Sequence, residues 1–185
     1  MRKILLVAAL AIFATSCNKI KQLTQIEQDL PYTQQLDGSL FPDSSNIHTL
    51  PPGGVTITFP SVPVPTNSKQ YLTQYNTSTD KINSVTLKSI LLQMTAPAGK
   101  NLNFLHSVDV FIAGTSLPKI RVAYNDNIGK NSPTVSLNDT SADLKNYFLQ
   151  DTIFVQFRAT FDSIPPHGTQ INTTTTFHLS ANPLN

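Results

Sequence analysis

The sequence predicts an all-β fold, an antiparallel sandwich of two sheets that is immunoglobulin-like or jelly-roll-like, with one short helix near residues 141–149. Three observations support this fold class. Apolar and polar residues alternate in several runs of strand length, turns rich in Pro, Gly and Asn separate these runs, and no long helix lies between them. Parallel strands need a crossover connection, so the strands are expected to be antiparallel. A closed barrel is the alternative topology.

The first strands follow a Pro-Pro-Gly-Gly turn. Residues 55–59 alternate apolar side chains with threonines, which indicates a half-buried strand. The alternation over residues 82–94 slips by one position near Lys88 and Ser89. Since a slip of one residue exchanges the two faces of a strand, we expect a β-bulge there or a second buried face.

Two shorter alternating runs follow, over residues 108–112 and 120–124, and the gap between them is short enough for an antiparallel hairpin. In the second run, strict alternation places Arg121 on the face opposite to Tyr124.

The last two runs, over residues 153–161 and 171–179, are the clearest strands of the chain, and we expect them to pair as a hairpin across a Pro-Pro-His-Gly turn. Arg158 lies on the polar face of the first of these strands, which Phe154 interrupts. Arg121 occupies a corresponding position on its own strand. Solvent-exposed strand faces explain both arginines, and a ligand-contacting pair is the alternative.

The short helix is predicted from a capping pattern. Thr140 and Asp143 resemble a capping box with Asp in place of Glu, and the apolar-rich segment 144–149 follows. We therefore expect one or two helical turns there, with Thr140 as the N-cap.

The N-terminus reads as an export signal. Arg2 and Lys3 precede an apolar run over residues 4–14, which is too short to span a membrane. The next segment, 14–17, resembles the lipobox of bacterial lipoproteins, where small residues precede a cysteine. The resemblance implies cleavage after a signal peptide of residues 1–16, diacylglycerol on Cys17, and a mature chain tethered to a membrane. An ordinary signal peptide with a chance cysteine is the alternative.

The remaining chain divides into two parts. Residues 17–50 are polar and irregular, and we interpret them as the lipidated N-terminus followed by a tether or an edge strand. Apolar residues spaced three or four apart up to Leu30 leave a short helix as an alternative there. Residues 51–185 form the predicted β-sandwich domain.

Composition and charge argue against a nucleic-acid partner and against an internal disulfide. Removing Arg2 and Lys3 from the 13 basic residues leaves as many basic as acidic residues, 11 of each, so the mature chain is formally neutral. Only two arginines remain after cleavage. This balance argues against nucleic acid as a partner. A single cysteine also excludes an internal disulfide.

No pattern predicts catalysis, a metal or a cofactor. The four histidines show no metal-ligand spacing, and His106 beside Ser107 lacks the G-x-S-x-G context of a nucleophile. The loop 125–127 offers oxygen ligands but lacks the spacing of a calcium loop. We therefore predict a protein that is not an enzyme.

The order of features over residues 82–179, together with Cys17, resembles the small β-sandwich lipoproteins of Bacteroidetes, many of them of uncharacterised function. The likeness includes the segments 104–108 and 143–147 and transfers no functional residue. Two strings, at Thr152 and Ser163, also resemble the acceptor sites for O-glycosylation of exported proteins in that group.

These features predict an outer-membrane lipoprotein that acts as a non-catalytic binding or structural module of the cell envelope. Its partners would be the membrane, through the lipid at Cys17, and an unknown envelope protein or glycan. Residues 18–22 lack an acidic cluster of the kind that resembles a surface-export signal, so the periplasmic face is favoured. A carbohydrate-binding or adhesin-type surface module is the alternative, and a hydrolase is a further one.

Overall fold

The computed structural model describes residues 25–35 and 50–181, and in the first of these ranges it describes the backbone. This part of the chain contains nine strands, two α-helices and one 3-10 turn. In chain order they are β1 (Gln25–Gln35), β2 (Val55–Thr58), β3 (Val62–Pro65), α1 (Ser68–Gln74), the 3-10 turn (Thr79–Lys81), β4 (Ile82–Ala96), β5 (Leu105–Ala113), β6 (Ile120–Asn125), β7 (Thr134–Asp139), α2 (Lys145–Phe148), β8 (Thr152–Phe161) and β9 (Gln170–Ala181).

The strands pair in the order β1-β9-β4-β7-β6-β5-β8-β2, with β3 also on β8, and every pairing is antiparallel. The first four residues of β7 pair with β4, and its last two pair with β6. We call the strands β1, β9 and β4 the β4 sheet, and the strands β6, β5, β8, β2 and β3 the β8 sheet. The two sheets face each other as a sandwich that β7 closes along one side, which confirms the predicted fold class.

Alternation positions the core between the sheets. In β8, Ile153, Ala159 and Phe161 are buried, and the residues between them are half-buried or exposed. Phe161 is fully buried, stacks on Phe104 at 6.2 Å between ring centroids, and meets Phe59 edge-on at 6.3 Å.

The predicted bulge in the long strand is confirmed. The pairing of β4 with β9 shifts between Leu87 and Ser89, so Lys88 is the extra residue. Because of this shift, Leu87 and Ile90 both point into the core although they stand three residues apart. The predicted hairpin of β5 and β6 is confirmed as well.

The predicted hairpin of the last two strands is wrong. β8 pairs with β5, β2 and β3, whereas β9 pairs with β1 and β4, so the two strands lie in opposite sheets. The connection over residues 162–169 is too long for a tight hairpin turn, and it crosses the ~10 Å between two packed sheets. The strand pattern alone does not distinguish a partner beside a strand from one facing it.

The predicted N-cap at Thr140 is also wrong. The Thr140 hydroxyl lies 3.0 Å from the carbonyl oxygen of Arg121 and fastens the end of β7 to β6. The helix is the single turn α2 within the predicted segment, and its N-cap residue, Leu144, makes no side-chain cap hydrogen bond. The Asp143 carboxylate instead accepts the backbone N–H of Lys145 at 3.0 Å.

At the start of the chain, the backbone of Gln25–Gln35 forms β1 along the outer edge of β9. The helix considered for the residues up to Leu30 is therefore wrong from residue 25 onward. At the opposite edge, β2 begins directly after Gly54, whose backbone is left-handed, with φ of +78°. A side chain at Gly54 would start 2.4 Å from the carbonyl oxygen of Phe161, so this edge of the β8 sheet requires glycine.

Candidate functional site

The outer face of the β8 sheet carries an unusual concentration of charged and aromatic side chains. Adjacent positions of β5, β6 and β8 supply most of them, since Asp109 pairs with Tyr124 on one side and with Arg158 on the other. We call this group the arginine face; its members are Asp109, Phe111, Lys119, Arg121, Tyr124 and Arg158.

Asp109 is the centre of the arginine face. Its Oδ2 atom accepts two hydrogen bonds from Arg158, from Nε at 2.9 Å and from Nη2 at 2.7 Å. Its Oδ1 atom lies 2.5 Å from Nη2 of Arg121. The Asp109 side chain is 13% exposed, against 37% for Arg121 and 47% for Arg158. One shielded carboxylate therefore holds two partly exposed guanidinium groups side by side.

The two arginines are held differently. Arg158 donates two aligned hydrogen bonds, whereas the contact of Arg121 with Asp109 is an ion pair without hydrogen-bond alignment. The buried Nε of Arg121 has no hydrogen-bond partner within residues 50–181. An N–H without an acceptor costs free energy, so Arg121 is the less satisfied of the two groups.

A bulge in the β5–β6 pairing places Arg121 on this face, which corrects the predicted alternation. The register shifts between Val110 and Phe111, so both Val122 and Ala123 are buried. Arg121 and Tyr124 consequently share the outer side, and the guanidinium carbon of Arg121 lies 4.2 Å from the centre of the Tyr124 ring. Strict alternation would have put these two residues on opposite faces.

One aromatic ring lies beneath both of the other cations, Lys119 and Arg158. Both Lys119 Nζ, at 5.4 Å, and the guanidinium carbon of Arg158, at 5.3 Å, lie over the ring of Phe111. The Lys119 ammonium also donates to the Gln156 side chain at 3.1 Å. Cation–π contacts of this length restrict the positions of the charged groups without neutralising them.

The arginine face retains a net positive charge. Arg121 Nη2 reaches the exposed carboxylate of Asp126 at 3.1 Å, so two carboxylates, those of Asp109 and Asp126, oppose three cations. The Nη1 groups of Arg121 and Arg158 have no hydrogen-bond partner in the described part of the chain. A guanidinium has five N–H donors, so both groups keep donors for a ligand.

A second charged cluster lies at one end of the sandwich. Lys130 Nζ donates to Asp162 at 2.7 Å and to the carbonyl oxygens of Asn103 and Leu105 at 2.9 and 3.1 Å, and His106 Nδ1 lies 3.4 Å from Asp162. The hydrogen bond from Lys130 holds the pKa of Asp162 below its usual range. Two of the three acceptors of Lys130 are backbone carbonyl oxygens, so we interpret the cluster as a set of contacts that hold the loops together.

The same geometry separates His106 from Asp109, which lie close to Ser107 in the sequence and could suggest a catalytic triad with it. His106 faces Asp162, whereas Asp109 faces the two arginines. Within residues 50–181, no cluster of three or more His, Cys, Asp or Glu side chains could hold a metal ion. The Asp126 carboxylate of the loop 125–127 pairs with Arg121.

An apolar gap of about 70 Å³ lies between the sheets. Its walls are aliphatic and aromatic apart from two threonines. The lining residues from β3 and some of those from β8 are half-buried. The lining residues are Val62, Val64, Leu87, Ile90, Val110, Ile112, Val122, Ile153, Val155, Phe157, Thr173, Thr175 and Phe177. The gap is smaller than the engineered apolar cavity of about 150 Å³ that admits benzene, so it belongs to the core.

The predicted modification sites differ in accessibility. Ser163 is exposed in the loop after β8, and Thr152 is half-buried at the start of β8, opposite Pro65. Thr152 also borders a polar surface cleft beside the Lys69–Asp151 ion pair. Cys17 lies outside the described residues. Among the described helices, none is long and apolar enough to cross a membrane.

The sequence pattern predicts only parts of this site. It indicates Arg121 and Arg158 as a possible pair, but it marks Asp109 and Phe111 only as members of an alternating strand. The signal that links them is the antiparallel register of three neighbouring strands, which sets Asp109 beside Arg158 and Phe111 beside Arg121.

Comparisons with known proteins add little. No family model and no curated protein matches this chain. Chains from two solved virus structures align with it. That of Desmodium yellow mottle tymovirus shares 12% identity at a TM-score of 0.27, with 87% of this chain and 90% of that chain covered. That of turnip yellow mosaic virus shares 14% identity at a TM-score of 0.27, with 87% and 96% covered. TM-scores this low establish no shared fold, so the sandwich architecture rests on the strand pairing itself.

Proposed function

We propose that this chain is a lipid-anchored, non-catalytic binding module of the cell envelope and that it binds its partner through the arginine face. The observation that carries the proposal is the convergence of Arg121 and Arg158, the two arginines that remain after removal of the signal peptide, on the shielded carboxylate of Asp109. The proposed partner is an envelope protein or glycan.

Physical cost supports binding over a purely structural role for this face. Pairs of exposed charges contribute little to stability, about 0–1 kcal/mol. A fold that needs only solubility gains little from crowding three cations over two aromatic rings. Recognition of a ligand does gain, because arginine and aromatic side chains are enriched where proteins bind their partners.

The anchor is the part of the proposal that rests on the sequence. The basic start, the apolar run and Cys17 support export and lipidation, and a bacterial lipoprotein carrying two or three acyl chains is stably attached to a membrane. We place the protein at the outer membrane and favour its periplasmic face. Protease treatment of whole cells tests that orientation. If the protease digests the protein while the cells are intact, the protein lies on the cell surface.

Mass spectrometry of the native protein from membranes tests the anchor. We expect a chain that begins at Cys17 and carries a diacyl or triacyl adduct, and a Cys17→Ala variant that lacks the adduct and leaves the membrane fraction. An unlipidated product cut at another position would refute the anchor.

The binding surface is tested with envelope fragments from cells that lack the protein. The native protein in detergent is expected to bind them saturably, and the double variant Arg121→Gln/Arg158→Gln is expected to bind at least about tenfold more weakly, a loss of roughly 1.4 kcal/mol. Lys100→Gln, which removes an exposed lysine from the turn after β4, is the matched control. If the double variant binds like the wild type, the arginine face is not the binding surface.

A further inference from the structure

We infer that the ligand of the arginine face is an acidic saccharide, with its carboxylate or sulfate group on Arg121 and Arg158 and a sugar ring over the neighbouring aromatic side chain of Phe154. This inference rests on the proposed function and names the chemistry of the partner. Three properties of the face support it: oriented anion donors, an aromatic ring beside them, and a margin of hydroxyl and amide groups.

The anion-binding property follows from the shared carboxylate. Asp109 uses Nε and Nη2 of Arg158 and Nη2 of Arg121, which leaves Nη1 of each arginine as a donor without a partner within residues 50–181. Arginine binds carboxylate and sulfate through pairs of parallel hydrogen bonds that require a fixed guanidinium plane. Asp109, Phe111 and Tyr124 fix those planes before any ligand arrives, so less side-chain entropy is lost on binding.

The aromatic property distinguishes a sugar from a free anion. The rings of Phe111 and Tyr124 are half-buried under the cations and fix them in place, whereas no cation within residues 50–181 lies over the ring of Phe154. Phe154 is half-buried on the same face of β8 as Arg158, two residues from Gln156. An inorganic anion would gain nothing from this ring. A sugar ring packs its C–H face on an aromatic side chain, so a saccharide uses both Phe154 and the charges.

The margin of the face carries neutral polar groups at the positions that the register dictates. Thr58 pairs with Arg158, Thr160 pairs with Ser107, and the hydroxyls of Thr56 and Thr160 lie 2.9 Å apart. These groups both donate and accept hydrogen bonds, as sugar hydroxyls do. A net charge of about +1, from three cations and two carboxylates, suits a ligand that is held through one or two of its anionic groups better than a nucleic acid, whose binding requires many cations.

The test is a titration of the native protein with short acidic oligosaccharides: oligogalacturonate, alginate oligomers and chondroitin sulfate fragments. We expect saturable binding of at least one, with binding at least tenfold weaker for its neutral counterpart, the methyl ester or the desulfated form. Arg158→Gln, Arg121→Gln and Phe154→Ala are each expected to weaken binding at least fivefold, and Lys100→Gln to leave it unchanged. Urea denaturation of each variant checks that it is folded.

The remaining outcomes overturn the inference. It is wrong if no oligosaccharide binds, if the neutral counterpart binds equally well, if inorganic phosphate or sulfate competes at the same concentration as the saccharide, or if Phe154→Ala has no effect. The binding of envelope fragments separates this failure from a failure of the proposed function. If Arg121→Gln/Arg158→Gln still loses that binding, the arginine face is a binding surface for a partner of another chemistry.

Discussion

The two outer faces of the sandwich cover the same core and differ in nearly every other respect. On β4 and β9, the outward positions carry mostly Thr, Ser, Asn and Gln, with Lys88 and His178 as ionisable exceptions and Leu91 as an exposed apolar one. On the β8 sheet, the outward positions carry the arginine face. A hydroxyl-rich surface is sufficient to solubilise a sheet, so the charges and rings of the other sheet call for another explanation.

This difference between the two outer faces indicates which of them is the functional surface. The inward positions of β4, β9 and the β8 sheet are mostly apolar, as packing requires, and the outward positions of β4 and β9 are mostly polar, as solubility requires. The arginine face exceeds both requirements. It also contains an irregularity of its own, the bulge that turns Arg121 outward, and bulges recur in proteins where a side chain has to be re-aimed.

The largest effect is expected where the two sheets do not differ, in their common core. Phe161→Ala removes a fully buried ring that packs on Phe59 and Phe104, and it should lower the free energy of unfolding by about 3–5 kcal/mol. Urea denaturation followed by fluorescence and by circular dichroism measures the loss. Two separate transitions, or a loss below about 1 kcal/mol, would show that the sheets do not share one core.

A smaller effect should separate the two outer faces. Asp109→Asn removes the shared counter-charge of Arg121 and Arg158, and we expect a loss of about 1–2 kcal/mol, reduced for the exposure of both arginines. The loss should shrink only slightly at about 1 M salt, where the screening length is roughly 3 Å, because the contacts of Asp109 with both arginines are shorter than this and its carboxylate is only 13% exposed. Thr174→Ala on β9 is the counterpart on the neutral face and should change stability by less than about 0.5 kcal/mol. Equal losses at the two positions would remove the distinction between the faces.

Sequence patterns predict the individual strands of this fold better than they predict which strands pair with each other. The alternation of apolar and polar residues indicates the strands, and its slip at Lys88 indicates the bulge, because the burial of a side chain depends on its position along the strand. The predicted pairing of β8 with β9 is wrong because strand pairing depends on contacts between residues that are distant in the sequence. The same limit applies to the site: Asp109 meets Arg158 only through the register of β5 on β8, 49 residues apart.

The smallest effect is a dependence on pH outside both faces. The pKa of Asp162 is lowered chiefly by the hydrogen bond from Lys130, so the stabilisation is present at neutral pH and is lost as the pH falls below the ordinary value of 3.8. Both side chains are more than a third exposed, which limits the effect to tenths of a kcal/mol. Asp162→Asn should therefore be slightly less stable than the wild type at pH 7 and equally stable near pH 2. In thermal melts across this range, a difference that persists in acid would assign the effect to another group.

The division of β7 between the two sheets has a consequence for how the protein folds. Its first four residues complete the ladder of β4 and its last two extend that of β6, so neither sheet finishes its hydrogen bonding while the other is absent. The halves of the sandwich are thereby one cooperative unit, in which opening either sheet opens the strand that both require. Backbone amides on β4 and β6 would then exchange with solvent through the same global event, even though the strands lie on opposite sides of the core.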